Sequence, residues 1–288
     1  MRRQIKSPLV AHELLPGASV ELLQELHLLT RAGDLNADAL RKLKQVNHLI
    51  RLLTPALEDV LTRFGDPVIV DCGAGKSHLG FLIYELFLKG IQKGQLHCIE
   101  ARPELTTAAA ALASRLDFSR MRFQSVHIAD PVLPDRVAMV TALHACDTAT
   151  DDAIALAVQR NADHVAVVPC CQAEVARQLE KATGADPVMA SLHDSPWHRR
   201  EFGSHLTNVV RVLALEAKGY KVTVTELTGW EHSLKNELIL GKKVRARSAE
   251  AEEKLRALLS AAGVAPKVAR LLGLAPANRE APVPERGA

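Results

Sequence analysis

Residues 68–80 read VIVDCGAGKSHLG. The run Val68–Val70 is apolar and β-branched and ends at an acid, Asp71. Short runs of this kind read as buried strands. Gly73 and Gly75 then permit a tight turn and a close approach of ligand to backbone. The apolar stretch 77–89 beyond them reads as a helix. Strand, glycine turn and helix in that order begin a βαβ unit. Two phosphate-binding patterns each fail at one residue. Gly-x-x-x-x-Gly-Lys-Ser needs glycine at position 70, which is Val70. Gly-x-Gly-x-x-Gly needs glycine at position 78, which is His78. What remains is acid-x-Gly-x-Gly closing a first strand, with Ser77 where a third glycine is common. A structural turn without a ligand is the plain alternative.

Outward from this loop the pattern alternates. QLHCIE (95–100), RFQSVHI (122–128), VAMVTALHA (137–145) and HVAVVPC (164–170) read as further strands. Helices are expected at 103–115, from about Thr150, and over 172–182. Continuous apolar strands between helices argue a parallel sheet covered on both faces. REFGSHLTNVVRVLALEAKGY reads as a helix ending at Gly219. KVTVTELTG and NELILGKK follow as strands joined by WEHSLK, too short for a helical crossover, so that pair is antiparallel. Upstream, helices are expected at 18–32 and 36–64. In the second, Leu40, Leu43, Val46, Ile50, Leu53, Leu57, Val60 and Phe64 make one apolar face, with a kink or restart expected at Thr54-Pro55. The expected fold is α/β: a Rossmann-like sheet of seven strands with the last pair antiparallel. The expected division is a helical N-terminal extension or lid (1–64), the sheet domain (65–245), C-terminal helices (246–275) and a disordered Pro- and Ala-rich tail (276–288).

Composition bounds the function. Apolar residues make up 48% and charged residues 24% of the 288, which supports an ordinary core. A net charge of +3 is too small to argue nucleic-acid binding alone. Residues 191–247, however, hold ten Lys/Arg against six Asp/Glu. Five cysteines, mostly on or beside expected strands, fit reduced thiols and a cytoplasmic setting. Neither a signal peptide nor a membrane-spanning helix is expected.

The acid-x-Gly-x-Gly loop has the form that holds S-adenosylmethionine, with Asp71, Gly73, Gly75, Lys76 and Ser77 as its contacts. Glu100 ends the second strand, where an acid can accept both ribose hydroxyls. Asp130 follows the third and is placed to accept from an adenine amino group. LHACDTATDD (143–152) follows the fourth. Thr150 or Asp147 suits the N-cap of the next helix, and Asp151 and Asp152 suit its first turn. His144, Cys146 and Asp147 are expected at the reactive end of the cofactor. A hydroxyl acceptor needs a general base and an amine needs hydrogen-bond acceptors. Asp147 is the first choice for either task and His144 the second. VPCCQAE (168–174) ends the fifth strand, so Cys170, Cys171 and Gln172 are expected beside this edge. Adjacent cysteines on an extended strand point to opposite faces, which argues against one shared metal. No metal is expected. Glu231, His232, Lys235 and Asn236 of the last turn, and Lys44 and Asn47 of helix 36–64, are candidate pocket residues, against plain solvated faces.

KLKQVNHLI (42–50), DCGAGKSHLGFLIYE (71–85), LHACDTATDDAI (143–154), VPCCQAE (168–174) and EHSLKNELI (231–239) occur in that order. Together they resemble a bacterial group of S-adenosylmethionine-dependent methyltransferases over about residues 39–243. The resemblance implies the class I methyltransferase sheet, methyl transfer, and helix 36–53 as a lid on the pocket. More distantly, the chain is similar to the eukaryotic tRNA 2′-O-methyltransferase of the acceptor stem. His144, Cys146, Ala149, Thr150 and Asp151 match its pattern, and Cys170-Cys171 is similar to its cysteine pair. Leu143, Asp147 and Gln172 depart from its lysine, glycine and histidine. This likeness implies structured RNA as the acceptor. A small-molecule or protein acceptor and a non-catalytic adaptor are the alternatives. The 3% aromatic content offers few platforms for stacking unpaired bases.

Overall fold

The computed structural model describes residues 15, 17–30, 32, 37–143, 145–169, 172–181, 187–227 and 237–275. Strands β1 (Val68–Cys72), β2 (Gln95–Ile99), β3 (Met121–Gln124), β4 (Met139–Ala142), β5 (His164–Val167), β6 (Tyr220–Glu226) and β7 (Glu237–Lys243) form one sheet. Its order is β3-β2-β1-β4-β5-β7-β6. β1 to β5 run parallel, and β7 lies antiparallel to both β5 and β6. This is the class I methyltransferase layout expected from the sequence.

Helices cover both faces, which is why β1, β4 and β5 are buried along their whole length. On one face lie α1 (Val20–Glu25), α2 (Ala37–Arg63), α3 (His78–Ile83, continued by a π-helical turn over Tyr84–Leu88) and α4 (Pro103–Arg115). Their apolar side chains share a core with Ile69, Leu96 and Met139. On the other lie α5 (Ala149–Gln159), α6 (Glu174–Lys181), α8 (Pro196–Ala217), α9 (Ala249–Ala262) and α10 (Lys267–Leu271), sharing a core with Val70, Val140 and Val165. The short α7 (Pro187–Ala190) precedes α8. The alternation of Ile69 and Val70 between two cores is the period-2 geometry of a strand.

An ion cluster fastens the end of α2 to the sheet. Asp59 bonds His164 at 2.6 Å and Arg63 at 2.6 Å, and Asp163 bonds Arg63 at 3.0 Å and Arg136 at 2.9 Å. The His164 bond, with Arg63, holds the Asp59 carboxyl well below the usual range against the opposing effect of burial.

Four expectations are corrected. The helix expected over 18–32 ends at Glu25, because His27 turns left-handed (φ 56°) and sends Leu28 and Leu29 into the core. α2 runs unbroken through Pro55 and so does not restart there, and the Thr54 hydroxyl donates to the Ile50 carbonyl. β3 stops at Gln124, not 128: among the described residues it pairs with β2 alone, and that ladder ends at Ile99–Gln124, where the Glu100 amide donates to the Gln124 carbonyl at 3.1 Å. α8 begins at Pro196, capped by the Ser195 hydroxyl, which accepts from the His198 amide. The turn 228–236 and the tail 276–288 lie outside the described residues. Among the described residues, no helix is long and apolar enough to cross a membrane.

Candidate active site

β1 and β4 run side by side, with Asp71 and Thr141 in register. Asp71 is only 2% exposed, and its Oδ1 accepts the Thr141 hydroxyl at 2.9 Å. Burial pushes its pKa up to about 7, against the Thr141 bond, which lowers it. The chain then turns through left-handed Gly73 (φ 63°), Gly75 (φ 56°) and Ser77 (φ 58°). A Cβ on Gly75 would meet nothing within 4 Å, so the backbone there opens onto free space.

Glu100 leaves the end of β2 and folds back over this turn. Its carboxylate accepts the Gly75 amide at 2.8 Å, the Arg102 amide at 3.2 Å and the Arg102 guanidinium at 2.7 Å. Burial raises its pKa, but the Arg102 and Gly75 bonds prevail and hold it below the usual range.

A cavity of about 910 Å³ opens over this edge of the sheet. Asp71, Gly73, Gly75 and Lys76 form its floor, and Glu100 and Arg102 one side. Val126, His127 and Ile128 reach it from beyond β3, and Leu143, Cys146, Ala149 and Asp152 from beyond β4. Gln45, Val46 and Leu49 of α2 form the facing wall, one helical face by their spacing. Val168 and Leu227 close the end at β5 and β6.

The structure therefore brings together Asp71, Gly73, Gly75, Lys76, Glu100 and Cys146 of the sequence candidates. Ser77 is buried under the turn at the start of α3 and is not in the cavity wall. Asp130 is exposed and its amide donates to the His127 carbonyl, so it occupies a turn beyond the cavity wall. Asp147 also lies outside the wall. Its Oδ1 accepts the Ala173 and Glu174 amides at 3.0 and 3.3 Å, and its Oδ2 accepts from Arg177 at 3.2 Å. It thus caps α6, not the α5 that follows it. Neither Asp147 nor Thr150 caps α5: Thr148 holds that position, and the Thr150 hydroxyl donates to the Ala145 carbonyl. Asp151 is a buried partner of Arg211 at 2.7 Å, and Asp152 pairs with Lys267 at 2.7 Å.

Gln172 is buried, accepts from the Ser204 hydroxyl at 2.7 Å and donates to Asn208 at 3.2 Å, away from the cavity wall. Asn47 is buried and Lys44 exposed, while the wall of α2 is made by their neighbours. His144, Cys170, Cys171, Glu231, His232, Lys235 and Asn236 lie outside the described residues. Among those that are described, no three His, Cys, Asp or Glu side chains are grouped as a metal site. Sequence reasoning missed Arg102, His127 and Asp152. Asp152 had a usable signal, since it stands one helical turn from Ala149 on the same face of α5.

These residues fit S-adenosylmethionine. Asp71 is a buried carboxylate in the wall whose raised pKa a cationic ligand would relieve. Glu100 supplies an ionised acceptor at the position that suits a ribose diol. Ile99, Val126 and Ile128 lie together in the lining and offer apolar surface to a flat ring. Fold and site together define a class I S-adenosylmethionine-dependent methyltransferase.

The family comparison agrees with that class. Residues 41–178 match a family model described as a methyltransferase domain. Similar solved structures include an rRNA methylase from Streptococcus thermophilus, with a TM-score of 0.45 and 12% identity over 68% of this chain and 96% of that one. They also include a precorrin-6y C5,15-methyltransferase from Geobacter metallireducens, with a TM-score of 0.41 and 15% identity over 67% and 88%. A geranyl diphosphate methyltransferase in complex with GPP and sinefungin gives 0.41 and 14% over 70% and 83%. No curated protein matches the chain. The assignment rests on the strand order, the site and the domain match, and no acceptor is taken from these likenesses.

Proposed function

We propose that this methyltransferase modifies a nucleophilic atom of structured RNA. The observation that carries the proposal is a group of exposed Lys and Arg side chains at the cavity, beside the carboxylates Asp71, Glu100 and Asp152 of its wall. Lys76 and Arg102 are exposed in its wall, and Arg41, Lys42 and Lys44 are exposed on the helix that forms the facing wall. Such groups meet phosphates irrespective of base sequence. With few aromatics for stacking, recognition by charge and shape suits a folded RNA better than an unpaired strand.

When bound, S-adenosylmethionine supplies a methyl group on a sulfonium. Ionised Asp71 favours the cationic ligand, and Glu100 orients its ribose. The enclosing walls from α2 and the loops beyond β3 and β4 exclude water and hold the acceptor in line. His144, two residues from the wall residue Cys146, is our candidate for taking the acceptor proton. Asp147 ties the segment before α5 to α6.

The test is transfer of a labelled methyl group from S-adenosylmethionine into the RNA, protein and small-molecule fractions of a cell extract. Label in RNA, with binding that weakens steeply as salt rises, is the expected result. Label confined to protein or small molecules would move the acceptor to that class.

A further inference from the structure

Helix α8 carries a polar stripe into the interior of the protein. Ser204, Asn208 and Arg211 recur at steps of four and three, which sets them on one helical face. Arg211 is among the largest fully buried side chains of the described residues. It donates through Nε to Asp151 at 2.7 Å, through Nη1 to Asn208 at 3.2 Å and through Nη2 to the Asp147 carbonyl at 2.8 Å. Asn208 donates to Glu237 at 2.7 Å and accepts from Gln172 at 3.2 Å. Gln172 is in turn held by the Ser204 hydroxyl at 2.7 Å.

This network joins three chain segments that are far apart in sequence. Each leads directly to a residue of the cavity wall. The β4–α5 segment, gripped at Asp147 and Asp151, supplies Cys146 and Ala149. The segment beyond β5, gripped at Gln172, supplies Val168. Glu237, at the start of β7, is in register with Glu226, whose neighbour Leu227 completes the wall. The side chain of Asp147 adds a cross-link from the first segment to the second through the amides of Ala173 and Glu174.

Stability alone is a poor explanation for this arrangement. A fully buried ion pair is often no better than apolar packing of the same volume. The network is also incompletely satisfied, since Asp151 Oδ2 is buried without a hydrogen-bond partner. What an apolar stripe would not supply is directional bonds fixing three loop ends to one another.

We propose that Arg211, with Asn208, is a positioning device that sets the acceptor-side wall of the cavity. It fixes the segments beyond β4 and β5 and the start of β7 at one mutual spacing, without touching cofactor or acceptor. The inference rests on methyl transfer in this cavity and not on the acceptor being RNA.

The test compares Arg211→Met, which keeps length and removes the bonds, with Arg211→Lys, which keeps one charged donor. Calorimetric titration with S-adenosylmethionine should give affinity within about 2-fold of wild type for both, because the β1–β2 side of the cavity keeps its own contacts. Initial rates of labelled methyl transfer, into whichever extract fraction the wild type labels, should fall about 100-fold in Arg211→Met and recover in part in Arg211→Lys. Amide hydrogen exchange, which needs no acceptor, should rise together at 145–148, 172–174 and 237–239 in Arg211→Met and stay unchanged at 68–76 and 95–102. Unchanged turnover would overturn the proposal. So would exchange that rises throughout the sheet with loss of cofactor binding, which is the mark of a merely structural role. If Arg211→Met does not fold, Asn208→Ala leaves the Arg211–Asp151 bond in place. It carries the same prediction for 172–174 and 237–239.

Discussion

Acidification should weaken cofactor binding through Asp71. In the free protein its carboxylate lies 2% exposed at the end of β1, where it accepts the Thr141 hydroxyl and has a pKa of about 7. A cationic ligand beside it favours the ionised form, so binding at low pH must first displace a proton. With that pKa, the ionised fraction of the free protein falls from about nine-tenths at pH 8 to about one-tenth at pH 6, and the apparent Kd rises about 10-fold. Glu100 stays ionised across this window, because its bonds hold its pKa low. Calorimetric titrations with S-adenosylmethionine at pH 6, 7 and 8 read the effect directly, with proton release seen as a dependence on buffer ionisation heat. Asp71→Asn removes the titrating group and keeps an oxygen for the Thr141 hydroxyl. The difference between the two profiles isolates Asp71 from His78 and His127, which also line the cavity. A wild-type Kd as flat as that of Asp71→Asn between pH 6 and 8 would refute the reasoning.

Four further outcomes are expected. Without cofactor, the raised pKa of Asp71 means that the folded state binds more protons than the unfolded one between the two pKa values, so stability falls as pH rises through that range. Asp71→Asn should therefore melt above wild type at pH 8, as differential scanning calorimetry would show. Asp59 has the opposite sign: its folded pKa is depressed, first by the His164 bond, so its stabilisation is present above about pH 4 and lost below it. Melting temperature between pH 6 and pH 3 should fall more steeply in wild type than in Asp59→Asn. Asp147→Ala removes the cap of α6 and should cost about 1 kcal/mol in urea unfolding while leaving cofactor affinity near wild type. Gly203→Ala would place a Cβ 2.8 Å from the Ala176 backbone nitrogen where α8 crosses α6, and should cost about 1–3 kcal/mol in the same assay.

The parts of this enzyme that were legible in its sequence are those encoded by neighbours. The strand, acid and glycines of VIVDCGAG act within a few residues of one another, and Glu100 follows from the end of the next apolar run. Asp130 was misplaced because its position depended on where β3 stops, and that is set by its partner β2 and not by its own residues. Asp147 looked like a group facing the cofactor because it follows a strand at the binding edge. Its bonds run instead to amides 26 and 27 residues away. Arg211 reads as an ordinary charge in an amphipathic helix, and its contacts with Asp151 and the Asp147 carbonyl, 60 and 64 residues distant, make it a buried hub. Polar side chains paired across the fold leave no local pattern, whereas apolar periodicity and turn glycines do.

The central claim is that the cavity between α2 and the edge of the sheet holds S-adenosylmethionine for methyl transfer. The most direct measurement is calorimetric titration of the folded protein with S-adenosylmethionine at pH 8. One site per chain is expected, with affinity lost or strongly reduced in Asp71→Ala. A well-folded protein that takes up no S-adenosylmethionine would contradict the account.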